Sequence, residues 1–184
     1  MSTSAAAASP RSKARLAGVF YLITFVTGGF ALVASGSSLG LVAGLIAGLS
    51  YIAVTLLLYI ILKPVSRSLS LLAAVVSLVG CAIGPLSMFV RLPGQPNNIS
   101  LVIFGIYCLL IGYLILRSTF LPRVVGVLMV FAGVGWLTFL SPPLARDLYP
   151  FGFVPGIIGE GALTLWLLLF GVDAEKWTQL ASAR

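Results

Sequence analysis

Six apolar runs, each broken by a short polar or proline-containing stretch, organise the chain. They cover about residues 16–35, 39–62, 69–92, 99–116, 124–141 and 155–172. The breaks are Gly36-Ser37-Ser38, Lys63-Pro64-Val65-Ser66-Arg67, Pro93 to Asn98, Arg117 to Arg123, and Pro142-Pro143 followed by Leu144 to Val154. Gly36-Ser37-Ser38 makes a tight turn, and at the other breaks proline, which cannot continue a helix interior, and charged side chains, which avoid hydrocarbon, end the element. At 1.5 Å per residue, a helix of about 20 residues crosses the ~30 Å hydrocarbon layer. Transmembrane strands would show alternation in segments of about ten residues, and the sequence has no such pattern. The reading is all-α, an integral membrane bundle of six transmembrane helices. Residues 1–15 read as a disordered basic cytoplasmic tail and residues 173–184 as a short cytoplasmic tail.

Composition strengthens this picture. Of 184 residues, 60% are hydrophobic and only 8% charged, far from the balance of soluble domains. The net charge of +7 would suggest nucleic acid in a soluble protein. Here the basic residues lie between apolar runs and orient the chain instead, so no nucleic-acid partner is expected. One set of breaks and tails collects Arg11, Lys13, Arg15, Lys63, Arg67, Arg117, Arg123, Lys176 and Arg184, and the other holds only Arg91 and Arg146. The positive-inside rule then gives an N-in/C-in, multi-pass protein of the cell (cytoplasmic) membrane. Tyr59, Tyr113 and Trp177 fall near the cytoplasmic interface and Tyr149 near the outer one. There is no histidine, and the two cysteines, Cys81 and Cys108, lie within apolar runs. Neither a metal site nor a cofactor is expected, and the cysteines read as small packing residues.

Several stretches carry a family resemblance. Arg15-Leu16-Ala17-Gly18-Val19-Phe20-Tyr21-Leu22 opens the first span, and Leu62-Lys63-Pro64-Val65-Ser66-Arg67-Ser68-Leu69 forms the first cytoplasmic loop. Gly112-Tyr113-Leu114, Arg117-Ser118 and Leu121-Pro122-Arg123-Val124-Val125-Gly126-Val127-Leu128 surround the second. Gly159-Glu160-Gly161, Leu165-Trp166-Leu167-Leu168 and Gly171-Val172 close the pattern. Together they resemble the bacterial family known as domain of unknown function 4386. The resemblance implies a six-span bacterial membrane protein and no stated activity.

Glu160 is the most informative residue. A carboxylate inside a span costs a few kcal/mol even on insertion scales, about 2.5–3.5, so it should face the bundle and be protonated or paired. Gly156, Glu160 and Thr164 form one small or polar stripe at four-residue spacing. Ser70, Ser77, Gly84 and Arg91 recur every seven residues on span three, with Cys81 and Met88 interleaved, and place Arg91 as the expected partner of Glu160 near the outer leaflet. Gly40, Gly44 and Gly48 on span two permit close helix approach, either inside the bundle or at a homodimer seam. Tyr51 and Thr55 continue that face, and with Ser77, Tyr107 and Thr164 they could line a polar pocket. Pro85, next to Gly84, suggests a kink in span three.

Three functions remain open. The first is a binding or structural bundle with a buried Glu160–Arg91 site, partnered by the lipid bilayer and by a small apolar or lipid-like ligand. The second is a proton-coupled transporter of small molecules using Glu160. The third is an intramembrane enzyme acting on a hydrophobic substrate. An ion pair with Arg91 would oppose the protonated carboxyl that acid catalysis needs, so the balance is against an enzyme. No catalytic residue is assigned. The sequence holds no P-loop, Gly-x-Ser-x-Gly elbow or His-Glu-x-x-His motif.

Overall fold

The computed structural model describes residues 9–89 and 96–183, with side chains for 9–83 and 98–183. Its described residues are helical throughout: α1 (Pro10–Val33), α2 (Ser38–Leu62), α3 (Arg67–Phe89), α4 (Pro96–Arg117), α5 (Arg123–Leu137), a short α6 (Pro142–Asp147), α7 (Val154–Leu169) and α8 (Ala174–Ser182). Single 3-10 turns at Thr138–Leu140 and Phe151–Phe153 flank α6. Among the described residues, five segments are long and apolar enough to cross a membrane: Pro10–Val33, Ser38–Leu62, Asn98–Arg117, Arg123–Leu140 and Phe151–Leu169. Large apolar side chains cover their outer surfaces, with Val33 at 88%, Leu32 at 74% and Val124 at 68% exposure. Water would not tolerate such a surface, whereas lipid does. The chain is a multi-pass membrane protein.

The long helices close into a ring. The main packing pairs are α1 with α2, α2 with α3, α3 with α4, α4 with α5, α5 with α7, and α7 back onto α1. Glycine makes three of the seams close. On α4 and α5, Gly105 faces Gly133 and Gly112 faces Gly126, so that a β-carbon on Gly133 would lie 2.9 Å from the Gly105 carbonyl oxygen and one on Gly112 2.9 Å from that of Gly126. Without side chains at these points the two backbones approach as small residues allow in membranes. Between α5 and α7, Gly156 sits under the Trp136 ring, and Gly159 against the Leu128 carbonyl. Gly18 receives α7 on the other side, with 2.7 Å from its β-position to the Leu168 nitrogen.

The glycines expected to pack span two behave differently. Gly40 is tight against the Ala34 carbonyl, next to the turn from α1. Gly44 has only the Ala31 methyl, at 3.8 Å, and Gly48 has nothing within 4 Å. The buried face of α2 falls to one side of that stripe, on Ala43, Ala47, Ser50, Tyr51, Val54, Thr55 and Leu58. Four-residue glycine spacing marks a smooth helix face, and the facing helix decides whether that face is used.

Both tails differ from the apolar pattern. α1 starts at Pro10 rather than near Leu16, because Ser9 accepts from the Ser12 backbone N–H and proline occupies the first turn. Arg11, Lys13 and Arg15 are therefore helical. The Arg11 Nε donates to the Phe170 carbonyl (3.2 Å) and an Arg15 Nη to that of Leu169 (3.3 Å), which satisfies the free carbonyls at the end of α7. After Gly171, in the left-handed region at φ +71°, Asp173 caps α8. The Lys176 backbone N–H and ammonium hold the Asp173 carboxyl below its usual range. That cap is therefore present above the ordinary aspartate range and fails only when pH falls through the lowered value. Trp177 donates to the Ile61 carbonyl at 2.8 Å and so ties α8 to the end of α2.

Replacing Gly133 or Gly126 by valine should separate α4 from α5 and lower stability by about 1–3 kcal/mol, the usual cost of overpacking. Gly48→Ala should leave the melting temperature unchanged. Thermal denaturation in detergent compares the three directly, and an equal loss in all would contradict this assignment of the seams.

Candidate functional site

Glu160 lies at the middle of the ring, 7% exposed. The helix that carries it is bordered by α1 and α5, yet its carboxylate also reaches α2 and α4 across the centre. Tyr21 on α1 donates to Oε2 at 2.9 Å, and Tyr51 on α2 donates to the same oxygen at 3.2 Å. Trp136 on α5 donates its indole N–H to Oε1 at 2.9 Å, and the Cys108 thiol on α4 approaches Oε1 at 3.8 Å. A carboxylate offers about four lone-pair positions, and here four helices each supply one donor. Each of these four donors is neutral.

The local sequence explains why these groups converge. Gly156 and Gly159 let α7 press onto α5, which brings Glu160 level with Trp136. The Tyr21 and Tyr51 rings meet edge to face, 5.5 Å between centroids, with their hydroxyls 3.4 Å apart. Phe104 and Tyr107 pack against the Tyr51 ring at 4.9 and 6.0 Å. Buried Tyr and Trp need a partner for their polar end, and Glu160 serves as that partner for three of them.

The other residues singled out in the sequence sit around this cluster. Tyr51 binds Glu160 directly. Thr55 and Ser77 share a hydrogen bond of 2.6 Å, and Thr55 also donates to the Tyr51 carbonyl at 2.9 Å. They form a separate polar contact between α2 and α3. Tyr107 is buried near Thr55, and its hydroxyl completes no hydrogen bond of good geometry among the described residues. Thr164 donates to the Glu160 carbonyl one turn back, at 2.7 Å. Arg91 lies outside the described residues, as do the surroundings of Gly84 and Pro85. Among the described residues the partners of Glu160 are the two tyrosines, the tryptophan and the cysteine.

Sequence reasoning assigned no role at Glu160 to Tyr21, Trp136 or Cys108. A usable signal existed for two of them. Tyr21 and Trp136 carry polar tips well inside apolar runs, where an aromatic-belt role does not apply. Cys108 offered none, because a buried thiol in an apolar run is ordinary.

A cavity of about 1050 Å³ opens next to the cluster, toward the end of the bundle opposite Arg11, Arg15 and Lys176. Its wall is largely apolar, with Phe25, Leu49, Ile52, Phe104, Phe139 and Phe153 among the larger groups. Gly28, Gly44 and Gly48 face it, which gives the loosely packed α2 glycines a place in the structure. Glu160, Tyr21, Tyr51 and Trp136 line its inner end, and Arg146 and Tyr149 are also part of the wall. Such a shape, mostly apolar with a few convergent polar groups, is what a small-molecule site requires.

Glu160→Gln should destabilise the bundle by about 1–3 kcal/mol, since an amide NH₂ would face a donor and leave buried groups unpaired. Trp136→Phe and Tyr21→Phe should each cost about 1 kcal/mol and should be non-additive with Glu160→Gln. Additive melting shifts in the double variants would show that the groups do not act as one cluster.

An uncharacterised protein of Archaeoglobus fulgidus is 26% identical over 129 residues, covering 65% of this chain and 76% of the relative. No solved structure matches the chain. Residues 86–171, from late α3 to the end of α7, match the family model described as Domain of unknown function (DUF4386). That span holds Glu160, Trp136 and Cys108, while α1 and α2, with Tyr21 and Tyr51, lie outside it. Over residues 86–171 the chain is thus similar to the DUF4386 family, the family that its sequence motifs resemble.

Proposed function

We propose that this chain is a membrane-embedded binding protein whose cavity takes an apolar or lipid-like molecule, with the polar end of that molecule against the Glu160 cluster. The observation that carries the reading is the largely apolar volume of about 1050 Å³ ending on a buried carboxylate. The volume is at the upper end of ordinary ligand sites. A ligand hydroxyl or amine could take a place in the hydrogen-bond set around Glu160, and the chain of the ligand would lie against the phenylalanine wall. Tyrosine hydroxyls both donate and accept, so Tyr21 and Tyr51 can rearrange toward a ligand without leaving Glu160 unsatisfied. The Trp136 indole can only donate and keeps Oε1 fixed.

The topology proposed with it is six spans with both ends in the cytoplasm of a cell whose cytoplasmic membrane holds the protein. Two features support this. α3 is 23 residues long, comparable with its neighbours in the ring. The side-chain contacts of Arg11 and Arg15 with the end of α7, of Trp177 with the end of α2, and the Asp173 N–H with the Phe120 carbonyl gather the basic ends on one side. A secretion-dependent reporter enzyme should be silent when fused after Arg184 and active when inserted in the 144–153 segment. The reverse pattern would invert the orientation.

The binding function is tested by mass spectrometry of the protein purified in native lipid discs, wild type beside Glu160→Gln, with folding monitored in parallel. A defined small molecule or lipid should co-purify with the wild type and be depleted at least about tenfold in a folded variant, the effect of losing ~1.4 kcal/mol of contact. If nothing is enriched and the variant only melts earlier, Glu160 is a structural tie and the binding reading fails.

A further inference from the structure

The basic end of the bundle holds a second cleft, of about 510 Å³, bounded by the start of α1, the loop between α4 and α5, the end of α7 and the start of α8. It is remote from the Glu160 cavity and shares no residue with it. We propose that this cleft binds the headgroup of an anionic phospholipid, with the acyl chains running along the lipid-facing side of α7.

Charge complementarity and the continuity of the surface support that occupant. Arg11 and Lys176 line the cleft together with the exposed Thr119. Arg11 uses Nε to hold the Phe170 carbonyl at 3.2 Å, which fixes the guanidinium while leaving its terminal nitrogens for a phosphate. Asp173 is also in the cleft and pairs with Lys176 at 3.1 Å. That pair is largely exposed, at 56% and 40%, so it is weak and Lys176 can turn to a phosphate at little cost. The apolar floor is Trp166 against Phe170, with ring centroids 4.5 Å apart. From Phe170, 54% exposed, the surface continues onto Leu169 at 62% and Leu165 at 58%, one apolar track leading away from the cations along α7. Cations beside an aromatic floor at a helix end, joined to an apolar track, match a phosphodiester joined to its chains. A free phosphate would use the cations alone and would have no need of the track.

The test uses the full-length protein in discs made of equal parts phosphatidylglycerol and phosphatidylcholine, with retained lipids read by native mass spectrometry. The wild type should retain phosphatidylglycerol in preference to phosphatidylcholine. Lys176→Gln and Arg11→Gln should each reduce that preference by roughly fivefold, the effect of losing one direct charged contact worth ~1 kcal/mol. Arg11→Lys should keep most of it. Lys176→Gln removes only the exposed pair with Asp173 and leaves the backbone N–H that the Asp173 cap accepts, so it remains readable if Arg11→Gln weakens the fold. Arg123→Gln, at the same end but outside the cleft, should change nothing. Equal retention of the two lipids by the wild type would overturn the proposal. So would an equal loss on Arg123→Gln, which would mean a diffuse surface charge. Binding of inorganic phosphate in pure phosphatidylcholine discs without any phosphatidylglycerol preference would also overturn it.

Discussion

A carboxylate placed among apolar helices must be satisfied where it stands, and much of this molecule follows from that requirement. Water is not at hand in the hydrocarbon layer, so an unpaired Glu160 would cost several kcal/mol, about the net stability of many domains. Donors from α1, α2, α4 and α5 meet it instead. One side chain on α7 therefore joins both of its ring neighbours and two helices across the centre. Apolar packing between membrane helices is weakly directional, because lipid tails are as apolar as leucine. Hydrogen bonds converging on one point supply the register that such packing lacks.

The ring can close around that point only because its seams are thin. Gly156 and Gly159 bring α7 against α5, and Gly18 brings α1 against α7. The paired glycines of α4 and α5 do the same for the next seam. On α2 the glycine stripe instead faces the cavity, where absence of side chains makes space rather than contact. Close seams on one side of the ring and an open wall on the other leave a large volume beside the polar cluster. The proposed ligand would occupy that volume and complete the interior.

The two ends of the bundle have different chemistry. At the basic end, arginines on α1 bond the last carbonyls of α7, and α8 folds back so that Trp177 reaches α2. These contacts fasten the first helix to the last and seal the ring there. At the opposite end, around α6, Phe153 packs against both Phe139 and Tyr149 beside the cavity. The sealed end is suited to headgroup contacts and the aromatic end to admitting an apolar molecule.

The apolar runs by themselves determined that the chain is helical and membrane-embedded, because hydrocarbon admits only elements that satisfy their own backbone. The breaks and the distribution of arginine and lysine were equally legible, since proline and charge act locally. Glu160 stood out as a buried polar group from its cost alone. Its partners did not. Hydrogen bonding to Tyr21, at a separation of 139 residues, depends on how α1 crosses α7, and that crossing rests on the close fit of Gly18 against Leu168. The heptad stripe on α3 pointed to Arg91, which lies outside the described residues, and the described donors come from α1, α2, α4 and α5. The helical start of α1 and the docking of α8 also escaped the pattern, because caps and a single tryptophan contact, not apolar periodicity, define them. Local chemistry fixes which residues are helical and which face lipid, whereas the choice of donor for a buried acceptor is made only when the helices pack.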